Sequence, residues 1–306
     1  MGAVLCLLSA VGFGLMAVFG KLAYDEGVGL GDLLLVRFGL AALVMLAIVR
    51  RRGGLGGLPR RTAAAAFLMG AVGYAAQSAA YFAALDRIDA SLLTLLLYVY
   101  PVLVMVGAVL LRREHWSARR ASALCLALFG ILLVLSAAAG HRFDWLGVTL
   151  GLTAGVVYTV YILVGDRVVA GVPPVPLTTL VCCGAFTTYL VASLVRGGPS
   201  LDFGAVAWGW LVAVALVSTV ASILLFFAGL ARVGPSVASI LSVLEPVVTV
   251  ASAAAVFGES LSQTQLLGGA LVLAAVLVVL WPRRESGRRM VVAVPGSCAG
   301  MPATPD

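Results

Sequence analysis

Ten charge-poor apolar runs, each near the length of a membrane span, constrain this sequence more than any other feature. A helix needs about 20 mainly apolar residues to cross the hydrocarbon core of a bilayer, so ten spans fill most of the 306 residues and leave no room for a sizeable soluble domain. Only 11% of the residues are charged, against about 25% in a soluble domain. The runs cover residues 1–20, 33–49, 63–85, 90–111, 121–139, 146–165, 177–195, 203–230, 235–257 and 263–281. The sequence therefore predicts an all-α integral membrane protein with ten transmembrane helices.

Arginine clusters alternate with loops that carry little charge, and this alternation predicts the orientation of the spans. The clusters at 50–52, 60–61, 112–120 and 283–289 all fall on one side of the predicted membrane. Positively charged loops stay in the cytoplasm, so both termini are predicted to be cytoplasmic. The same rule accounts for the net charge of +7, so we expect no nucleic-acid partner. The preference for Arg over Lys is typical of GC-rich bacteria and favours a multi-pass protein of the cell inner membrane.

The chain also repeats itself at an offset of 145 residues. The matched pairs are Pro101 with Pro246, Arg87 with Arg232, Ser91 with Ser236, Glu114 with Glu259 and Gly39 with Gly184. Each half holds five predicted helices, and because five is odd, the second half must enter the membrane from the opposite side. We therefore predict two inverted five-helix repeats, at 1–140 and 141–282, an architecture that many secondary transporters use. The Pro- and Gly-containing remainder, 283–306, is predicted to be a disordered cytoplasmic tail.

Several short motifs give the sequence a family resemblance. They are VFGKLA at 18–23, VRF at 36–38, LARVGPS at 230–236, LEPV at 244–247 and the Gly-Glu pair at 258–259. With these motifs, residues 1–281 resemble the EamA-type family of the drug/metabolite transporter superfamily. The resemblance implies a ten-helix bacterial exporter of small metabolites, amino acids among them, with a central cavity between the repeats. The first repeat departs from the second in having Tyr100 before its proline, where the second has Glu245.

Glu245 is the sharpest candidate for a functional residue. It lies about ten residues into its predicted helix, which is roughly 15 Å at 1.5 Å per residue and so places it near the middle of the membrane. An acid at that depth is expected to face the bundle interior and to mark a site of transport. It could bind and release a proton in a coupled cycle. The alternative is a neutral Glu that hydrogen-bonds to a neighbouring helix.

Further polar residues recur at helical spacing and are predicted to bind substrate. The third helix carries four of them, at spacings that place them on one face: Tyr74, Gln77, Ser78 and Tyr81. Tyr100, Tyr158, Ser222 and Ser242 complete the predicted cavity wall together with Glu245. Tyr98 and Tyr100 cannot share a face, because two helical steps separate them by about 200°, and the repeat match with Glu245 favours Tyr100 for the cavity. Hydrogen bonding and close packing between helices are the alternative roles for these groups.

Lys21 and Arg37 are predicted to lie near the outer surface, close in sequence to Asp25, Glu26 and Asp32. Snorkelling or an ion pair at the rim would explain both cations. The functional alternative is an outer gate, formed by a salt bridge that breaks when the cavity opens, or an anchor for an anionic group.

The sequence favours a transporter over an enzyme. Its two histidines lie in predicted loops, no G-x-S-x-G run occurs, and no cysteine or histidine spacing suggests a metal site or a cofactor. We expect a secondary-active or facilitative exporter of small metabolites such as amino acids, working by alternating access and coupled to protons through Glu245. Multidrug or cation efflux, a passive channel and, last, an intramembrane enzyme are the alternatives. The expected partners are a small-molecule substrate and the lipid bilayer, and a monomer is plausible because ten helices can enclose a cavity.

Overall fold

The computed structural model describes residues 1–55, 57–85, 87, 93, 96–136, 144–169, 172–257 and 262–280. Helices dominate these ranges, and no strand occurs within them. The predicted tail at 283–306 and the predicted boundary between residues 140 and 141 lie outside the described residues. The fourth predicted span is described almost entirely from residue 96 onward.

Within the described residues of the first half, bounds are defined for six α-helices and one π-helical segment. They are α1 (Gly2–Asp25), α2 (Leu30–Arg51), α3 (Arg60–Leu68), π1 (Met69–Tyr74), α4 (Ala75–Leu85), α5 (Tyr100–Leu110) and α6 (Ala118–Ser136). α3, π1 and α4 follow one another without a gap, so together they form one long rod with a wider turn in its middle.

The second half has a closely similar order of elements. They are α7 (Trp145–Val169), α8 (Pro174–Val195), α9 (Ala205–Ala215), π2 (Leu216–Ala221), α10 (Ser222–Val233), α11 (Pro235–Leu241), α12 (Leu244–Phe257) and α13 (Gln263–Leu280). α8 and α11 both begin at a proline, whose fixed φ suits the first helical turn. Gly234, with φ of +79°, separates α10 from α11.

Among the residues that the structure describes, six helical rods are long and apolar enough to cross a membrane: Gly2–Asp25, Leu30–Arg51, Arg60–Tyr81, Trp145–Val168, Pro174–Val195 and Ala205–Val233. Shorter apolar helices cover Tyr100–Leu110, Pro235–Thr249 and Leu266–Val279. The chain is therefore a multi-pass, all-helical membrane protein. Ten spans and cytoplasmic termini stay predictions.

The helices pair in a pattern that is unchanged when the two halves are exchanged. α1 packs on α10 and α12, and α7 packs in the corresponding way on α4 and α5. α2 packs on α8, α5 on α11 and α6 on α13, so these pairs join equivalent helices of the two halves. The two halves are thus interleaved rather than separate, and the site described below lies where they meet.

Asp144 shows how one of these helices begins outside the membrane. Its Oδ1 accepts a 2.9 Å hydrogen bond from the backbone N–H of Leu146, and its Oδ2 lies 3.3 Å from Nη1 of Arg87. The backbone N–H of Leu146, and to a smaller extent the Arg87 guanidinium, lower the pKa of the Asp144 carboxyl. Asp144 is therefore the N-cap of α7 and ties it to the end of the α4 segment.

Candidate functional site

A narrow polar cavity lies inside the bundle, between helices of both halves. Its wall consists of Phe13, Met16, Arg37, Tyr74, Gln77, Ser78, Tyr81, Leu97, Tyr100, Tyr158 and Glu245. The cavity volume is about 60 Å³, and a water molecule occupies roughly 10–15 Å³ of such space. The cavity has room for a few waters and must widen before it can hold a metabolite.

The structure brings most of the predicted binding residues into this one wall. The third-helix group contributes Tyr74 from the end of π1 and Gln77, Ser78 and Tyr81 from α4. The hydroxyl of Ser78 donates a 3.5 Å hydrogen bond to Oε1 of Gln77. Their helical spacing therefore places all four side chains on the cavity face, although π1 widens the turn that ends at Tyr74.

Glu245 reaches the cavity from a helix that is broken just before it. α11 ends at Leu241, and α12 begins at Leu244 with Glu245 in its first turn. Pro246 explains the break, because proline has no N–H for the carbonyl of Ser242 and its ring crowds that carbonyl. The Glu245 N–H bonds to the Ser242 carbonyl instead, at 3.0 Å. The carboxyl group thus lies at a helix N-terminus, where the helix dipole favours negative charge.

Tyr100 occupies the equivalent position in the first half. α5 begins at Tyr100, immediately before Pro101, and follows a turn at Tyr98 and Val99. Broken helices whose new N-termini face a central site are a feature of many secondary transporters. The two breaks place the hydroxyl of Tyr100 and the carboxyl of Glu245 in the same cavity wall.

Tyrosine rings form a continuous cluster beside Glu245. The ring centroids of Tyr100 and Tyr158 are 4.7 Å apart, those of Tyr158 and Tyr161 are 6.2 Å apart, and those of Tyr161 and Tyr74 are 5.4 Å apart. The hydroxyls of Tyr98, Tyr100 and Tyr161 are buried and form no hydrogen bond within the described part of the chain. Of these three residues, Tyr100 belongs to the described cavity wall, so its hydroxyl is available to a ligand.

Of the two neighbouring tyrosines Tyr98 and Tyr100, Tyr100 lines the cavity as expected, and Tyr98 is not among the described residues of its wall. The centroids of the Tyr98 and Tyr100 rings are only 5.6 Å apart, and Tyr98 lies beside the Glu245 carboxyl. The two rings lie closer together than one continuous helix would place them, because the turn at Tyr98 and Val99 changes the helical phase.

Arg37 lies inside the bundle and not at its rim, which corrects the expected position. Its side chain is 1% exposed and lines the cavity. Nε of Arg37 donates a 2.6 Å hydrogen bond to Oγ1 of Thr219 in π2, and Nη2 donates a 3.3 Å hydrogen bond to the Tyr74 hydroxyl at the end of π1. Arg37 is seven residues into α2, which is about 10 Å and too deep for an ion pair with the acids of the preceding loop.

Three other predicted residues lie away from the cavity wall. The hydroxyl of Ser222 donates to the carbonyl of Val217, and Ser222 packs against α1 at Gly12. The hydroxyl of Ser242 donates to the carbonyl of Ala238 beside the helix break. Lys21 is exposed near the end of α1. Both serines satisfy the backbone of their own helices, which is a common role for small hydroxyls in membrane spans.

An ionic network joins the two halves on the side of the bundle where α1 begins. Arg113, just beyond α5, lies 3.5 Å from Oδ2 of Asp166 on α7. Glu114 forms an ion pair with Arg120 and accepts a 3.4 Å hydrogen bond from the backbone N–H of Ser236 at the start of α11. These contacts hold α5 to α7 and α11. The residues of the contacts between the two halves are far apart in sequence, so no local pattern predicted these contacts.

The chemistry available at the site is binding and proton exchange. Within the described ranges, no group of three or more His, Cys, Asp or Glu side chains could hold a metal ion. A half-buried acid, a buried guanidinium and tyrosine hydroxyls line a narrow cavity in a multi-helix membrane protein. This combination of fold and site is that of a membrane transporter.

Comparison with known proteins identifies the family. The sequence profile of the EamA-like transporter family matches residues 1–136 and 145–281, and this chain belongs to that family. It is 31% identical over 201 residues to an uncharacterized transporter of Archaeoglobus fulgidus, covering 65% of this chain and 70% of the relative. It is 26% identical over 250 residues to the uncharacterized transporter YyaM of Bacillus subtilis, covering 79% of this chain and 81% of the relative.

A solved structure has the same fold. A chain described as "Crystal structure of protein" superposes with a TM-score of 0.80, covering 92% of this chain and 98% of its own length at 18% identity. At this identity the likeness supports the fold, and the function must be argued from the site.

Proposed function

We propose that this protein is a secondary-active or facilitative transporter that exports small metabolites, such as amino acids, across the inner membrane by alternating access. In this proposal the cavity is the substrate site and Glu245 carries the coupling proton. Both termini are in the cytoplasm, the protein works as a monomer surrounded by lipid, and it catalyses no covalent chemistry.

The position of Glu245 is the observation that carries the proposal. The residue lies at a helix break in the wall of a cavity otherwise rich in tyrosine, and no basic side chain lies within 4 Å of its carboxyl among the residues that the structure describes. An intramembrane acid in such a place is usually a site of proton or substrate binding. Binding a proton and binding a basic substrate at one carboxyl exclude each other, which gives the coupling a physical basis.

The ionic network supports alternating access. Arg113, Asp166 and Glu114 hold the two halves together on the side of the termini, while Gln77 and Tyr81 extend the cavity wall along α4 away from that side. A transporter must open one side while the other is closed. In the predicted orientation, the network closes the cytoplasmic side in this state.

Efflux of cationic drugs is the strongest alternative, since Glu245 and the tyrosine rings could bind a cation. Arg37 in the same wall weighs against it, because a buried guanidinium repels a cationic ligand. A passive channel would need a continuous pore, whereas this cavity is narrow and, in this proposal, the ionic network closes one side of it.

Transport by the purified protein in proteoliposomes tests the proposal. We expect labelled amino acid to exchange across the membrane and to accumulate against its gradient when a pH gradient is imposed. Glu245→Gln should keep exchange and lose accumulation driven by the pH gradient, because the amide cannot carry a proton. Glu26→Gln, at an exposed loop position, is the matched control.

Two outcomes would contradict the proposal. Wild-type rate and pH dependence in Glu245→Gln would remove proton coupling through this residue. A leak that is not accelerated by unlabelled substrate on the opposite side would indicate a channel.

A further inference from the structure

Arg37 carries a buried positive charge without a described counterion. Its side chain is 1% exposed, and none of the acids that the structure describes lies within 4 Å of it. Its two hydrogen bonds go to neutral hydroxyls, those of Thr219 and Tyr74. A buried charge that lacks an ionic partner is expensive in a membrane protein and marks a functional site.

Arg37 lines the cavity, and its guanidinium still has donors that no described group accepts. Nε is engaged at 2.6 Å by Thr219, whereas Nη2 makes only a 3.3 Å bond to Tyr74 and Nη1 makes no hydrogen bond with the described residues. The end of the guanidinium formed by Nη1 and Nη2 therefore has the two parallel donors that bind a carboxylate in a bidentate manner. Thr219 fixes the opposite edge and so holds the orientation.

Glu245 supplies the opposite charge in the same cavity wall. Arg37 and Glu245 interact electrostatically without being in ion-pair contact. Two unlike charges that share a narrow cavity without neutralising each other leave space for a ligand with the reverse arrangement of charges.

We infer that Arg37 is a specificity-determining residue that binds the anionic group of the transported ligand and orients its amine toward Glu245. This inference rests on the proposed function and adds to it the orientation of the ligand between Arg37 and Glu245. A site that contains a buried Arg rejects a ligand without an anionic group, because the guanidinium would then stay unpaired. The same reasoning applies to Glu245 and a ligand without an amine.

Ligands that differ by one charged group test the inference directly. The probes are phenylalanine, phenethylamine and 3-phenylpropanoate, with alanine, ethylamine and propanoate as a smaller set. Their dissociation constants for the purified full-length protein are measured by isothermal titration calorimetry. We expect the wild type to bind one of the two amino acids at least about tenfold more tightly than its amine or its acid, a difference equal to about 1.4 kcal/mol.

Variants then assign each charged group to its partner. Arg37→Lys keeps the positive charge and loses the two parallel donors of the guanidinium. It should weaken binding of the amino acid and of the acid about tenfold and leave binding of the amine unchanged. Glu245→Gln should weaken binding of the amino acid and of the amine and leave binding of the acid unchanged. Thermal melting and gel filtration establish that each variant is folded, and the wild-type comparison tests the need for an anionic group even where a variant does not fold.

Each outcome decides the inference. If Arg37→Lys weakened binding of all three ligands equally, Arg37 would have a structural role and the inference would be overturned. The inference would also be overturned if the wild type bound the amine as tightly as the amino acid, or bound none of the probes. Binding of the acid alone, lost in Arg37→Lys, would uphold the role of Arg37 and contradict amino-acid transport. Proton-driven exchange of amines that does not change in Arg37→Lys would uphold a transporter and overturn the role of Arg37.

Discussion

Nε of Arg37 and Oγ1 of Thr219 are joined by a 2.6 Å hydrogen bond across 182 residues of sequence. The Thr219 hydroxyl donates in turn to the carbonyl of Val214 at 2.9 Å. Arg37 also bonds to Tyr74, so one side chain on α2 connects the π-helical segments of both halves. π-helical turns occur frequently at functional sites, and here both lie against the same guanidinium.

Removing the Thr219 hydroxyl is therefore expected to destabilise the fold. Thr219→Val keeps the shape and leaves Nε of Arg37 without an acceptor, which should lower the free energy of unfolding by about 1.5–3 kcal/mol, the usual range for a hydrogen bond to a charged group. Thr187→Val is the control, because the exposed Thr187 hydroxyl bonds only to a carbonyl of its own helix. The melting temperature in detergent compares the two variants, and equal melting temperatures would contradict the prediction.

The same chemical change at two tyrosines should have different effects. Tyr74→Phe removes an acceptor of the Arg37 guanidinium and should cost about 1.5–3 kcal/mol of stability. Tyr100→Phe removes a buried hydroxyl that has no described partner and should leave stability unchanged or raise it. Thermal melting of both variants checks this. A larger loss for Tyr100→Phe would show that the hydroxyl is satisfied in the folded protein.

Two glycines at equivalent repeat positions should differ in their tolerance of a methyl group. A Cβ on Gly184 would overlap the backbone of α3 and π1 at Phe67 and Ala71, whereas a Cβ on Gly39 would meet only the Phe186 ring, at 3.2 Å. We expect Gly184→Ala to destabilise by about 1–3 kcal/mol, as overpacking does, and Gly39→Ala by less. Gly209→Ala, with nothing within 4 Å, should be neutral or stabilising in the same melting assay.

Asp144 should give a measurable dependence of stability on pH. Its lowered pKa means that the folded state favours the carboxylate, so its contribution is present above the ordinary pKa of Asp, roughly 3.9, and is lost as the pH falls through the folded-state value. The difference in melting temperature between the wild type and Asp144→Ala should therefore shrink as the pH is lowered from 6 toward 3. If this difference in melting temperature stayed constant between pH 6 and pH 3, the charge of Asp144 would not contribute to stability, and only its role as an uncharged N-cap would remain.

Reversing one charge of the ionic network should open the side of the termini. Asp166→Arg places a cation beside Arg113 in place of the 3.5 Å ion pair and should raise the rate at which an impermeant maleimide labels Met16→Cys from that side. We expect about a tenfold increase, equal to a shift of about 1.4 kcal/mol in the opening equilibrium. The measurement uses a cysteine-free background, and Arg113→Asp with Asp166→Arg should restore slow labelling. Fast labelling in the double variant would contradict the role of the pair.

Much of the site could be predicted from sequence, because helical spacing and depth are local properties. Spacing placed Gln77, Ser78 and Tyr81 on one face, and depth singled out Glu245. The position of Arg37 could not be predicted from its neighbours in sequence, because it depends on how far α2 is inserted relative to π1 and π2. The short distance between the Tyr98 and Tyr100 rings could not be predicted either, because a break in a helix changes the phase of every residue before it.

The cavity that Arg37 and Glu245 line is narrow, and this narrowness affects the dissociation constants that ligands show. A ligand can enter only those molecules whose walls have already separated, so the apparent dissociation constant is the intrinsic one divided by the fraction of open molecules. A substitution far from the cavity that favours the open form would then tighten binding without adding a contact, and one that favours the narrow form would weaken binding without removing one. Ligand affinity in this protein is thus a gauge of its conformational equilibrium as much as of its binding contacts.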